Sequence, residues 1–364
     1  MERVTIDTAR AVIAAGGRSL VASAGGRLER ELAATGGELA RLPMHTRNPV
    51  VMVDNAMRLA QLIVDEGVSL VHVRSRAPAF SAIRAARSVG VPAVATYHGI
   101  YQARLPLKRW YNAVMTRGDL TIANSTFTRD HIIAEHGLRS DQIAVAPEGI
   151  DTDIFDPDRV SPERLAMVRA AWGLDDGQQG PILLLAARLT GWKGQKVMIE
   201  AMSRLDDGPD AVLILAGKAE KAGEVAALRT AAERAGVGER VRIVGAVDDM
   251  PAAYALADLV VAPSTLPESF GRGVAEAGAM ARPVLASPLG APAETIVHDR
   301  TGWLVPAGDV GAWARAIDAA LALGPDARVR IGRAARDRVT EHYSLRAMAA
   351  ATFAVYRRVL TARQ

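Results

Sequence analysis

Short β-branched runs alternate with longer amphipathic stretches along almost the whole chain, and the alternation stops once and restarts. Runs of strand length stand at 19–22, 70–73, 93–96, 120–123 and 143–145, with helical patterns such as 51–65 and 77–89 between them. A second series occupies 182–187, 212–216, 241–244, 259–262, 283–286 and 303–305, separated by helical stretches such as 198–205, 224–235 and 310–321. Strict β/α alternation implies parallel strands covered by helices on both faces. The expected fold class is α/β, as two doubly wound, Rossmann-like domains facing each other. Ligands of such sheets bind beyond the carboxyl ends of the strands, so strand ends would wall the cleft between them. The pause falls in Pro147-Glu148-Gly149-Ile150-Asp151 and Phe155-Asp156-Pro157, a segment of linker character. The expected domains are 1–155 and 156–342. A terminal stretch, 343–364, carries a helical pattern apolar on more than one face, which must pack on another element. A return to the first domain is one place for it.

Composition narrows the function classes. A length of 364 residues suits two domains. Cysteine is absent, which excludes a disulfide framework, thiolate chemistry and cysteine-bound zinc, and fits a reducing cytoplasm. No apolar run approaches the ~20 residues that span a bilayer, and the first residues lack the apolar core of a secretory signal. The chain is therefore expected in the cytoplasm. Its net charge is +4, unevenly placed: residues 30–117 hold 12 Lys/Arg against 5 Asp/Glu. Such a surface suits an anionic membrane face or an anionic substrate, and equally a plain solvated surface. Lys108-Arg109-Trp110-Tyr111 belongs to it. Nucleic acid is not expected, because no basic motif interleaved with aromatic residues is present.

Two constellations carry chemistry. In Pro267-Glu268-Ser269-Phe270-Gly271-Arg272-Gly273-Val274-Ala275-Glu276, two carboxylates flank a glycine-bearing turn that follows the 259–262 run and opens a helix. Glycines let backbone approach a ligand, free amides at a helix start bind anionic oxygens, and a carboxylate accepts both protons of a diol. That set suits a nucleotide sugar; it also reads as an ordinary loop with a surface glutamate. Arg188-Leu189-Thr190-Gly191-Trp192-Lys193 follows the 182–187 run. Its two cations could steady the charge growing on a departing diphosphate, or belong to a solvated turn. Asp151-Thr152-Asp153 and Asp156-Pro157-Asp158 spell strings that could hold a divalent ion. They lie in the linker, and the pair Arg188 and Lys193 would already supply the positive charge, so no metal or other cofactor is expected.

Together these segments resemble the retaining glycosyltransferases of family 4, which have the two-domain GT-B fold. Further matches are Leu215-Ala216-Gly217, Val244-Gly245-Ala246-Val247, the stretch from Glu276 to Val284, and Gly302-Trp303-Leu304-Val305-Pro306. The resemblance covers essentially the whole chain and is strongest from Pro147 to Asp309. It implies that Arg188 and Lys193 bind the donor diphosphate and that Glu276 binds the ribose. Gly217 and Val247 would lie in the donor site, with Val247 beside the base. Glu268, with Ser269 and the amides of Phe270 and Gly271, would hold the transferred sugar. Thr96-Tyr97-His98-Gly99 resembles the family's histidine loop, so His98 would face that sugar; read alone, a histidine after a strand is more often structural. The implied reaction is a retaining, front-face transfer to a cell-envelope glycan or lipid-linked acceptor, with the leaving phosphate helping to deprotonate the acceptor. UDP is the expected carrier and GDP the next. The alternatives are a donor-binding module impaired in catalysis, or a nucleotide-sugar epimerase on the same fold.

The chain departs from the pattern in three places. Glu148 stands where the family carries Asn. A histidine-any-histidine string becomes His72-Val73-Arg74, and Arg74 and Arg76 would then greet an anionic acceptor or coat the surface. A strand and a Gly-Gly turn that family members carry ahead of the first helix are absent, and Met1 falls where the turn should end. Met1 is thus expected to be internal to a longer native chain.

Overall fold

The structure, a computed structural model, describes residues 2–101, 105–174, 180–206 and 210–362. The chain forms two compact units: Met1–Gly149 with Leu345–Gln364, and Ile150–Ser344.

The first unit holds β1 (Leu20–Ser23), β2 (Glu38–Arg41), β3 (Val71–Val73), β4 (Ala93–Tyr97), β5 (Leu120–Ala123) and β6 (Ile143–Val145). All pair in parallel, in two sheets: β1 with β2, and β3-β4-β5-β6 in that order. Side chains alternate across a strand, so β4 serves two cores. Ala93, Ala95 and Tyr97 pack with Leu59 and Ile63 of the helix Pro49–Asp65 and with Ile83 of the helix Arg76–Ser88. Val94 turns the other way and joins Leu120, Ile122 and Ala146 against Val355 and Val359 of the helix Leu345–Thr361. The helix Glu2–Ala14 covers the small sheet, with Ile6 and Ala9 against Val21 and Leu39. The helix Pro49–Asp65 starts where its sequence says it should. Asn48 accepts from the Val50 amide, and Pro49 occupies the first turn, where no N–H is needed.

The second unit holds β7 (Ile182–Ala186), β8 (Val212–Ala216), β9 (Val241–Gly245), β10 (Leu259–Ala262), β11 (Val284–Ala286) and β12 (Trp303–Leu304). Their order, β12-β11-β10-β7-β8-β9, is that of a doubly wound sheet. The order reverses between β7 and β10, which pair through Leu183↔Leu259 and Leu184↔Val260. Leu184, Ile214 and Val260 face one core, and Leu183, Leu213 and Val261 the other. Burial on both faces explains why these strands read as continuous apolar runs.

The division differs from the expected one by a few residues. Phe155 is buried with Trp172 and Tyr254 in the core of the second unit, so that unit begins at Ile150 rather than after 155. The last helix groups with the first unit. β2 was not expected as a strand. It is an edge strand with Glu38 and Arg41 exposed, so it carries no apolar run. Met1 lies outside the described residues.

Candidate functional site

The carboxyl ends of β7 and β10 are adjacent at the reversal of strand order, and the loops after them build one hollow. Two glycines outside its lining let the neighbouring backbones approach closely. Gly194 follows the turn Gly191–Lys193 at φ +77°, and a Cβ there would run into the Pro263 carbonyl. Gly217, past β8, has its amide bonded to the Gly245 carbonyl at 2.6 Å, and a Cβ would meet the Ala187 carbonyl. Only glycine permits both approaches. The loops are then tied to each other, the Thr265 amide donating to the Trp192 carbonyl at 2.8 Å. The backbone of Glu268 is clamped on both sides: its amide donates to the Leu289 carbonyl, and its carbonyl accepts from Ala291.

This framework brings Lys193 to Glu268. The ammonium Nζ lies 2.7 Å from Glu268 Oε1, and the two side chains are only 15% and 13% exposed. The Ser264 hydroxyl donates to the same carboxylate oxygen. Lys193 also lies 4.4 Å from the centre of the Trp192 ring, close enough for a cation–π contact. Lys193, Ser264, Glu268, Gly271 and Gly273 line the hollow together.

Glu276 belongs to the next layer. It lies on the helix Arg272–Ala279, which starts from Gly271 in the left-handed conformation. Arg272 donates to one carboxylate oxygen at 2.7 Å and the Tyr254 hydroxyl to the other at 3.0 Å. Burial raises the Glu276 carboxyl above its ordinary value against the opposing pull of Arg272 and Tyr254. Burial, together with Glu276, pushes the Tyr254 hydroxyl well up, so it stays a donor. The Phe270 side chain is buried against Tyr343, leaving its backbone to serve the turn. Val247 packs half-buried on the second unit's core, after β9.

Arg188 behaves differently from Lys193. Its side chain is 59% exposed and pairs with Glu220, beyond β8, and it does not line the hollow. The four charged groups expected around one nucleotide sugar therefore fall into three ion pairs: Lys193–Glu268, Arg272–Glu276 and Arg188–Glu220. Tyr254, Ser264, Arg272 and Glu220 were not singled out in the sequence. Arg272 and Glu276 do carry a legible signal, because residues four apart on a helix are neighbours. Tyr254 and Glu220 carry none, since their contacts depend on the sheet.

In the first unit, His98 follows β4 and its Nδ1 lies 3.0 Å from Glu148 Oε1. Asn124 donates to the same oxygen at 3.1 Å. Burial pushes the Glu148 carboxyl up, but the bonds to His98 and Asn124 prevail and hold it at about 2. Burial lowers the His98 imidazole, with Glu148 only partly offsetting it. A charged carboxylate against a neutral ring makes Nδ1 the protonated, donating nitrogen.

Arg74 and Arg76 do not coat the surface. Arg74 donates to the Thr8 hydroxyl at 2.6 Å and lines a small pocket with Thr96, His98 and Glu148. Arg76 lies 4.1 Å from the centre of the Tyr101 ring and donates to Asn112 at 2.7 Å. His72 bonds Tyr356 at 2.6 Å and Thr96 at 2.7 Å. The linker aspartates serve the backbone: Asp151 accepts from the Asp153 and Ile154 amides, and Asp156 from Asp158. Among the described residues, no three His, Asp or Glu side chains converge as metal ligands would.

Two family models match the chain, Glycosyltransferase Family 4 over residues 1–154 and Glycosyl transferases group 1 over residues 171–338. A D-inositol 3-phosphate glycosyltransferase of Mycobacterium sp. (strain KMS) is 32% identical over 217 residues, 58% of this chain and 47% of that protein. The match thus spans about half of that relative. A GDP-mannose-dependent alpha-(1-6)-phosphatidylinositol monomannoside mannosyltransferase of Mycobacterium tuberculosis (strain ATCC 25618 / H37Rv) is 29% identical over 330 residues, 87% of this chain and 82% of that one. The crystal structure of a glycosyltransferase from Rickettsia africae ESF-5 is similar with a TM-score of 0.91 and 30% identity, covering 99% of this chain and 94% of that one.

Proposed function

The chain belongs to glycosyltransferase family 4, with the GT-B fold, and from that premise we propose that it moves a sugar from a nucleoside diphosphate donor to a lipid-linked or cell-envelope glycan acceptor, with retention of configuration. The observation that carries this reading is the Lys193–Glu268 pair at the reversal point of the second sheet. A cation and a carboxylate in contact within one hollow suit a ligand with a diphosphate next to a polyol. The diphosphate would take over the Lys193 ammonium, and the sugar hydroxyls would take over Glu268, still held by Ser264. The Glu276 carboxylate would accept the ribose diol. Arg188 would reach the diphosphate by leaving Glu220, which costs little, because an exposed ion pair is worth about 0–1 kcal/mol. Charge developing on the leaving phosphate would then meet two cations, and the phosphate oxygen itself would take the acceptor proton. No metal or further cofactor enters this scheme, so chelators should leave the rate unchanged. UDP is the carrier that the resemblance to the family puts first. The GDP-mannose-dependent mycobacterial relative makes GDP the comparison to run beside it.

Thermal melts with UDP, GDP and their sugars test the donor half of the proposal. A ligand at about 100 times its Kd stabilises by about 2.7 kcal/mol. One nucleotide family should raise the melting temperature, and Glu276→Gln should abolish the rise. Transfer assays with the stabilising donor test the other half. Lys193→Ala or Glu268→Gln should lower kcat/KM by about 10²–10³, the usual scale for losing one electrostatic contact to the transition state. Donor binding with no transfer or hydrolysis would reduce the protein to a donor-binding module. No stabilisation by any nucleotide would overturn the reading.

A further inference from the structure

We propose that a small pocket in the first unit binds an acidic sugar, a ring whose carboxylate or phosphate is taken by Arg74 and whose hydroxyls are taken by Glu148. The proposal rests on the reading above for one point, that the ligand of this unit is the acceptor of a glycosyl transfer. Its support comes from other residues.

The pocket lies where parallel sheets bind their ligands, beyond the carboxyl ends of the strands. Arg74 directly follows β3, His98 directly follows β4, and Glu148 comes shortly after β6. These three line it together with Thr8 of the helix Glu2–Ala14.

Arg74 is a cation whose contacts are all neutral. Its Nη2 donates to the Thr8 hydroxyl at 2.6 Å, and Thr8 in turn donates to the Val4 carbonyl at 2.8 Å. The same nitrogen lies 3.4 Å from His72 Nδ1, and the Tyr356 hydroxyl also bonds the guanidinium. Burial, and Arg74 itself, hold the His72 imidazole well below its ordinary value, so that ring is uncharged. Burial raises the Tyr356 hydroxyl, which stays protonated. Among the described residues, no carboxylate comes within ion-pair distance of Arg74. The two acids that act on it from farther off, Glu148 and Asp7, are engaged elsewhere, Glu148 with His98 and Asn124, and Asp7 with Arg10. A guanidinium cannot shed its proton, and a charge withdrawn from water without a counter-ion is costly. An oxyanion entering the pocket would remove that cost and meet a planar fork of N–H donors suited to carboxylate and phosphate alike.

Glu148 supplies the other half of the recognition. It is ionised, and both of its bonds, from His98 and Asn124, fall on Oε1. Oε2 is then the oxygen for sugar hydroxyls, which a carboxylate accepts in pairs. Opposite charges that line one pocket without touching each other call for a ligand with an acid at one side and a polyol at the other. The device belongs to this chain: where the family pattern has a histidine, which can be neutral, His72-Val73-Arg74 places an obligate cation.

Titrations of the full-length protein followed by NMR test this, with glucuronate, glucose 6-phosphate, glucose and inorganic phosphate as probes. The Arg74 Nε–Hε resonance should move with an acidic sugar and stay in place with glucose. The better acidic sugar should bind about tenfold more tightly than glucose, the scale of one hydrogen bond to a charged group. Comparing glucuronate with glucose 6-phosphate separates carboxylate from phosphate. Inorganic phosphate has the charge without the polyol and should bind more weakly than either acidic sugar. Arg74→Gln should erase the preference for acid. Arg74→Lys keeps the charge but loses the fork, and should retain part of it. Should Arg74→Gln fail to fold, the native resonance and the lysine variant decide. Equal binding of acidic and neutral sugars by the native protein would overturn the proposal. So would an acid preference that survives Arg74→Gln, or acid binding that leaves the Arg74 resonance unmoved. Melts of the native protein with UDP and GDP keep the two readings apart. A response to nucleotide without acid preference removes the pocket alone. Acid preference without a response to nucleotide keeps the pocket and removes the transferase reading.

Discussion

Glu148 is the residue whose protonation should be easiest to observe from outside. Its carboxyl is held at about 2, against an ordinary value of 4.5, by His98 and Asn124. A folded value below the unfolded one means that the charged form stabilises the fold. That contribution is complete above about 4.5 and is lost as the pH falls toward 2. The neutral His98 ring acts in the same direction, since acid must charge it at a cost in burial. Glu148→Gln should therefore lose about 1.5–3 kcal/mol at neutral pH, the range for a hydrogen bond to a charged group. Urea melts of the two proteins should converge as the pH approaches 2. A gap that stayed constant with pH would show that Glu148 acts through packing alone. This partnership was half legible. The sequence marks Glu148 as an unexpected acid and His98 as a loop histidine, but nothing in it joins residues 50 positions apart. Their meeting depends on β4 and β6 ending on the same side of one sheet.

At the scale of elements, Gly194 bears on both local fold and function. Its left-handed backbone ends one turn and begins the helix Gln195–Met202, pressed on the Pro263 carbonyl. Gly194→Ala cannot keep both the backbone angle and the approach, so the β7 and β10 loops must separate. We expect a loss of about 1–3 kcal/mol in stability, as for residues forced into strained backbone. The larger effect should be on donor affinity, because Lys193 would leave Glu268. Nucleotide titration followed by the thermal shift would register that, and an unchanged affinity would show that the loop adapts. Strands such as β7 and β8 were plain in the sequence because burial on both faces makes them continuously apolar. β2 was hidden, because an edge strand with Glu38 and Arg41 facing water carries no such run. Arg188 was placed by its nearness to a strand end, a rule that fixes the backbone and leaves a long side chain free to choose Glu220.

For the molecule as a whole, two compact units that each enclose their own cores imply two separable stabilities. Calorimetry should resolve two transitions. A saturating donor nucleotide should move the transition of the second unit. Val355→Ser/Val359→Ser should lower the other, by about 1.5–3 kcal/mol for each apolar side chain lost from the face of the first sheet. A single transition shifted equally by both would mean that the units unfold as one. The second unit also begins and ends at neighbouring points: Ile150 and Ser344 form a parallel bridge, and the Ile150 amide donates to the Tyr343 carbonyl at 2.8 Å. It is therefore an insertion, placed between the bulk of the first unit and that unit's closing helix. A growing polypeptide leaving the ribosome must complete the insertion before the interrupted unit receives Leu345–Thr361. Until then Val94, Leu120 and Ile122 lack the cover they finally obtain. A chain released after Ser344 is expected to carry a finished second unit and an open sheet in the first, the form a chaperone would recognise.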